Sequence, residues 1–291
     1  METCAHLEKL GWARVTYLPV NKGGLVLLEE IKKSIKAETV LVSIMYVNNE
    51  VGTIQSIAEI GQFLKKINKQ RTMNHKPRIF FHTDATQAIQ YLDCDVNFLG
   101  VDFLSLTGHK IYAPKGIGAL YIRKSTPCIR QQDGGGQERG LRAGTENVPF
   151  IVALGSAVEK ISKFKKANAI KVQKLRDLLI KEVLKIPGIK LTGHPDQRAP
   201  HIASFMVEGV EGEALLLRLS EKGIMVSSGS ACSSSDLAPS HVLTAMGYGP
   251  QQSHGSLRFS LSQYTTREDI KYVSRTLPEV VEKLRKMAPK I

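Results

Sequence analysis

Apolar and polar positions along this chain follow two different periods in turn. Short apolar, β-branched runs at Ala13 to Pro19, Thr39 to Tyr46, Arg78 to Thr83, Val101 to Leu106 and Ile117 to Ile122 predict strands. Between most of them lie stretches with helical spacing, such as Ile57 to Ile67, where Ile57, Ile60, Phe63, Leu64 and Ile67 fall on one face. Strand and helix in alternation predict an α/β fold: a mostly parallel sheet with helices on both sides. Such sheets present ligands to the carboxyl ends of their strands.

After Ile122 the pattern changes. A glycine-rich loop, Gly134-Gly135-Gly136-Gln137-Glu138-Arg139-Gly140, leads into long helices that run to about Leu184. Beyond Pro187 the chain predicts a smaller α+β unit, with strands near Ala203 to Val207 and Ser256 to Leu261 and a last helix from Thr266 to Lys286. At 291 residues the chain exceeds the usual size of one domain. The expected division is a large domain over residues 1–165 and a small C-terminal domain over 166–291, with the boundary inside the long helix.

Composition narrows the class. A hydrophobic fraction of 42% supports a sizeable core, and no window approaches the apolar length needed to span a bilayer. The start, Met1 to His6, lacks the basic and then apolar layout of a signal peptide, so a cytoplasmic protein without a membrane segment is expected. The formal net charge is +13, but Lys and Arg occur largely in helix-like segments such as Lys163 to Lys185 and not in aromatic-interleaved patches. That distribution predicts a solvated basic surface and no nucleic-acid partner, and its field suits an anionic substrate or cofactor. Cys4, Cys94, Cys128 and Cys232 are widely spaced and form no CxxC pair, against a zinc ribbon or a disulfide framework. No permanent metal is expected.

Candidate chemistry gathers at two predicted strand ends. Phe80-Phe81-His82-Thr83-Asp84-Ala85-Thr86-Gln87 puts a carboxylate just past an apolar strand and an amide on the following turn. Read alone, Asp84 would serve as a helix cap. The next strand, however, ends in Leu106-Thr107-Gly108-His109-Lys110, which brings a hydroxyl, an imidazole and an amine to the same sheet edge. A pyridoxal phosphate site needs a lysine for covalent attachment, a carboxylate that keeps the pyridine nitrogen protonated, and donors for phosphate and phenolate oxygens. Lys110, Asp84, Gln87, Thr107 and His109 supply that set. Cys232 lies in the small, polar run Ser227 to Ser235, which favours an exposed loop over a packed core and marks it as the candidate nucleophile.

Five motifs, in order along nearly the whole chain, resemble the cysteine desulfurases of the class-V aminotransferase family: Val47-Asn48-Asn49-Glu50-Val51-Gly52, His82 to Gln87, Gly108-His109-Lys110-Ile111-Tyr112-Ala113-Pro114-Lys115-Gly116, Gly134 to Thr145, and Ser228-Gly229-Ser230-Ala231-Cys232. The resemblance implies the type I fold of pyridoxal-phosphate enzymes and conversion of L-cysteine to L-alanine, with sulfur passing to Cys232 as a persulfide. It implies that Lys110 holds the cofactor, Asp84 pairs with its ring nitrogen, and Asn49 and Gln87 lie near its phenolate oxygen. Thr107, at a position where the family often has serine, and His109 would bind phosphate, and His109 sits beside the attachment lysine. Thr145 would reach the phosphate of a neighbouring subunit's cofactor, which implies a homodimer. Arg258 would hold the substrate carboxylate, beside Asn49. The resemblance further implies delivery of sulfur to an acceptor or iron–sulfur scaffold protein, with Cys232 able to ligate a cluster transiently. Met1 falls within the family pattern, after the segment where related enzymes carry a ring-stacking histidine and a phosphate-binding turn. Two other functions fit the same motifs: a selenocysteine lyase, and a non-catalytic dimerisation or interaction subunit.

Overall fold

The computed structural model describes residues 1–228 and 239–287. In chain order, α1 (Glu2–Lys9) and α2 (Leu28–Ser34) precede β1 (Leu41–Ser43), α3 (Ile57–Met73), β2 (Phe80–Asp84), α4 (Val96–Leu99), β3 (Phe103–Thr107) and β4 (Gly118–Ile122). The long α5 (Val148–Val183) leads to β5 (Ile189–Leu191), β6 (Ile202–Val207), α6 (Gly212–Ser220), α7 (His241–Ala245), α8 (Pro250–His254), β7 (Ser256–Ser260) and α9 (Arg267–Met287).

The first sheet has the order β1-β2-β3-β4. β1, β2 and β3 are parallel, with Asp84 in register with Ser105, whereas β4 returns antiparallel to β3. Helices supply the crossovers between the parallel strands. The connection from Thr107 to Gly118 holds only a 3-10 turn over Gly108–Ile111, too short for a parallel crossover, so a hairpin is the geometry left. The second sheet, β5-β6-β7, is antiparallel throughout. The mostly parallel first sheet with helical crossovers is the α/β arrangement that the sequence pattern predicts.

The expected helical face of α3 forms. Ile57, Ile60 and Leu64 are buried, and Phe63 and Ile67 pack against the same core as Phe81, Leu99 and Leu104. Gly61 lets this helix meet α4: a Cβ there would collide with the Leu99 carbonyl. Asp95 caps α4 by accepting from the backbone N–H groups of Asn97 and Phe98, both at 2.8 Å. The strand expected over Ala13 to Pro19 does not form, because the segment pairs with no sheet edge. The Glu8 carboxylate accepts from the Val15 N–H at 3.0 Å and the Tyr17 hydroxyl at 3.4 Å, and Arg14 reaches Glu38 at 3.5 Å. Local alternation makes a strand only where a neighbour completes the ladder.

The region expected to hold several helices up to Leu184 is a single one. Asn147 caps α5 at Phe150 N–H, Pro149 sits in its first turn, and the helix then touches two cores. Leu154 and Ile161 pack with Ile111, whereas Val172, Leu179 and Val183 join Phe205, Leu215 and Leu277 beneath the second sheet. Buried arginines stitch loops to these cores. Arg71 donates to the carbonyls of Lys36, Ala37, Thr39 and Pro77, and Arg198 donates to those of Val51 and Thr192. Each occupies carbonyls that would otherwise lie buried and unpaired. Among the described residues no helix is long and apolar enough to cross a membrane.

Candidate active site at the carboxyl edge of the first sheet

Because β1, β2 and β3 run parallel, the segments that follow them emerge at one edge. β2 delivers Asp84 there, and the turn after it delivers Gln87. β3 delivers Thr107, and the 3-10 turn beyond it carries His109 and Lys110. Gly108 allows that turn, since a Cβ would meet the Ile117 side chain at 2.8 Å. The turn after β1 carries Asn48, Asn49 and Glu50. It closes on itself through the Asn48 side-chain oxygen, which accepts from the N–H groups of Glu50 and Val51, both at 2.9 Å.

The Asp84 side chain accepts from Thr86 N–H at 2.8 Å through one carboxylate oxygen, while the other has no partner among the described residues. Two residues earlier on the same face, His82 bridges the sheet: its Nδ1 lies 2.8 Å from Ser43 Oγ and its Nε2 lies 3.3 Å from Ser105 Oγ. Burial pushes the His82 pKa down, and the nearby Asp84 charge offsets part of that. His82 therefore spans three strands, two residues before Asp84.

Thr107 Oγ1 lies 3.0 Å from His109 Nδ1, so the two proposed phosphate donors are hydrogen-bonded to each other. His109 and Lys110 are both exposed, which leaves the amine open to a ligand. Gln87 accepts from His201 Nε2 at 3.0 Å through its side-chain carbonyl. Asn49 is joined to the second sheet: its backbone carbonyl accepts from Arg258 Nη1 at 2.7 Å. Arg258 sits on β7, paired through its backbone with Ser227. Glu50 makes the other crossing, accepting from Ser240 Oγ at 2.5 Å. Burial pushes the Glu50 pKa up, and Ser240, His241 and Arg258 pull against it.

The structure thus brings Asn49, Asp84, Gln87, Thr107, His109 and Lys110 to one sheet edge and ties Arg258 to it. Thr145 lies exposed on the loop before α5. Cys232 lies outside the described residues. His82 and His201 were not among the residues singled out as candidates. His82 falls inside a quoted motif, and His201 shows only as a polar residue directly before the apolar run Ile202 to Val207.

The donor set fits pyridoxal phosphate: an open amine, a carboxylate with one oxygen available, an amide held at one end, and a hydroxyl–imidazole pair beside the amine. It does not resemble a metal centre, and among the described residues no cluster of metal-ligating side chains occurs. A cavity of about 530 Å³ lined by Leu64, Asn68, Arg78, Asp102 and Arg123 opens at the opposite end of β2 and β3. There Arg78 pairs with Asp102 at 2.5 Å, and Asn68 bonds to the backbone of Ile79.

A family model described as Aminotransferase class-V matches residues 1–273. A cysteine desulfurase IscS of Methanosarcina thermophila is 50% identical over 289 residues, which cover 99% of this chain and 69% of that protein. A solved structure described as a NifS-like protein superposes with a TM-score of 0.87 at 36% identity, over 97% of this chain and 72% of that one. A structure described as SspA in complex with cysteine superposes with a TM-score of 0.74 at 34% identity, over 91% of this chain and 71% of that one.

Proposed function

Because the chain belongs to the class-V aminotransferase family as one of its pyridoxal-phosphate-dependent cysteine desulfurases, we propose that the carboxyl edge of the first sheet is its cofactor site and that Cys232 is its sulfur acceptor. Lys110 attaches the cofactor, Asp84 keeps the ring nitrogen protonated, and Gln87 and Asn49 face the ring oxygen. Thr107 and His109 hold the phosphate. When bound, pyridoxal phosphate supplies an electron sink for the charge that develops at the substrate α-carbon.

The remaining work falls to side chains of the chain itself. Arg258 binds the substrate carboxylate as a planar two-pronged donor, and its bond to the Asn49 carbonyl fixes it over the first-sheet edge. The Cys232 thiolate attacks the sulfur of L-cysteine. An S–S bond forms, the substrate C–S bond breaks, and L-cysteine plus the enzyme thiol become L-alanine plus the enzyme persulfide. A thiol reductant or a protein acceptor then removes the outer sulfur. The persulfide serves iron–sulfur cluster assembly in the cytoplasm, through a scaffold or other acceptor protein, and Cys232 can ligate a cluster transiently.

The working unit is a homodimer in which Thr145 reaches the partner's phosphate. Its support is the exposure of Thr145 directly ahead of Val148, Ile151 and Val152, apolar residues left open at the start of α5. Residues 1–165 form the large domain and 166–291 the small one, with α5 spanning the join.

The observation that carries this reading is the convergence of Asp84, Gln87, Thr107, His109 and Lys110 on one parallel-strand edge. Incubation of the cofactor-loaded chain with L-cysteine and a thiol reductant should release equal amounts of alanine and sulfide. Cys232→Ala should abolish sulfide release while leaving the cofactor's absorbance intact. Undiminished sulfide from that variant removes Cys232 from its role. Selenide release from selenocysteine that far outpaces sulfide release reassigns the substrate, and a chain that takes up no cofactor is an interaction subunit.

A further inference from the structure

We infer that His201 is a positioning residue that holds the Gln87 carbonyl and so makes the Gln87 amino group the donor offered to the cofactor's ring oxygen. This rests on the cofactor site proposed above and adds to it the element that sets the amide's orientation.

His201 stands directly before β6 and is only 8% exposed. Its ring stacks on Tyr91, with centroids 4.9 Å apart and planes at 30°. Nε2 lies 3.0 Å from Gln87 Oε1, while Nδ1 is buried with no hydrogen-bond partner. An amide oxygen only accepts, so the hydrogen must be on Nε2. The unpartnered Nδ1 is then a bare lone pair, the form a dry site tolerates better than an unpaired N–H. In the opposite arrangement the Gln87 amine would donate to Nε2 and Nδ1–H would be stranded as a buried donor.

The surroundings keep the ring uncharged. Arg176 from α5, Arg258 from β7 and Lys110 from the turn after β3 all oppose a positive charge on the ring, and Tyr91 contributes only its face. With burial as the largest cause, they push the His201 pKa down to about 3, so the imidazole is neutral wherever the enzyme would work. The Gln87 nitrogen makes no hydrogen bond among the described residues. With its oxygen occupied, the amide has only N–H groups left to present, which match an anionic ring oxygen and reject a donor.

The test has two arms on the 291-residue chain. In the first, ¹⁵N spectra of histidine-labelled protein without cofactor should show His201 with a protonated Nε2 and a bare Nδ1, unchanged through the pH range where ordinary histidines titrate. The His201→Gln variant assigns the signal by its absence. A protonated Nδ1, or a ring that gains charge near the ordinary histidine pKa, overturns the inference whether or not cofactor binds.

In the second arm, visible absorbance of the cofactor-loaded chain is followed against pH for wild type, His201→Leu and His201→Gln. A donor lowers the basicity of the ring oxygen, so a misdirected Gln87 should raise the midpoint by roughly half to one pH unit in the leucine variant. His201→Gln keeps an N–H donor for the Gln87 carbonyl and should restore the midpoint. A leucine variant with a wild-type midpoint, or a glutamine variant that behaves like leucine, overturns the inference. Wild-type protein that takes up no cofactor would sink the proposed function, while the first arm still decides the tautomer.

Discussion

β2 is one of two inner strands of the first sheet and β6 is the inner strand of the second, yet they are built differently. β2 alternates buried with half-buried residues, carries His82 across its neighbours and stops at Asp84. β6 buries every residue from Ile202 to Val207, and Phe205 at its centre packs edge-on to Phe259 at 6.1 Å. One strand spends packing on polar groups that must reach an edge, and the other gives all of its length to the core. Among the described residues, Arg258 of the second sheet bonds the Asn49 carbonyl, and His201, ahead of its central strand, bonds Gln87. Chemistry therefore gathers where strands end, and stability where they run through.

The sharpest way to break this division is Lys110→Ala. Lys110 is exposed, so the substitution should leave unfolding free energy within about 0.5 kcal/mol of wild type. Turnover of L-cysteine should vanish, and the cofactor should wash out on dialysis. Residual turnover above background would take the attachment role from this lysine. A large drop in melting temperature would show that the strand-end turn supports the fold as well as the chemistry.

Phe205→Ala probes the other side. Phe205 is fully buried between α5, α6 and α9, and removing its ring should cost about 3–5 kcal/mol, read by urea unfolding. In protein that remains folded, the affinity for pyridoxal phosphate should change little, because Phe205 packs in the core beneath the second sheet and the proposed holding residues lie at the edge of the first. Loss of stability and cofactor affinity in step would show the two sheets acting as one unit.

How far each region can be read from sequence follows the same division. The parallel edge was legible, because apolar runs ending in Asp84 and Lys110 carry their meaning in local order and in motifs that resemble a known family. The strand expected at Ala13 to Pro19 was misread because alternation says nothing about whether a partner edge exists. His201 was missed for a similar reason. Its role depends on Gln87 and Tyr91, far away in sequence, and a single histidine ahead of an apolar strand carries no local signal. The same holds for Arg198, whose acceptors Val51 and Thr192 come from separate loops.

Glu50 sits between the two regions and gives the smallest and most discriminating effect. It leaves the turn after β1, is 8% exposed, and accepts from Ser240, which in turn caps α7 at the N–H groups of Val242 and Leu243. Burial raises its pKa above the usual carboxylate range. The folded chain then binds this proton more tightly than the unfolded chain does. The stabilisation is complete below the unfolded carboxylate pKa and is lost as pH rises through the higher folded value. Glu50→Gln keeps an oxygen for the Ser240 hydroxyl and cannot ionise, so its stability should lack that decline. Urea unfolding of both proteins across a pH series isolates the difference, since every other titrating group is shared. The variant should gain on wild type as pH rises through the window and hold that advantage above it. Parallel curves would mean that Glu50 ionises as freely in the folded chain as in the unfolded one, and that the join between the sheets is wetter than the packing of Glu50 against Ser240 implies.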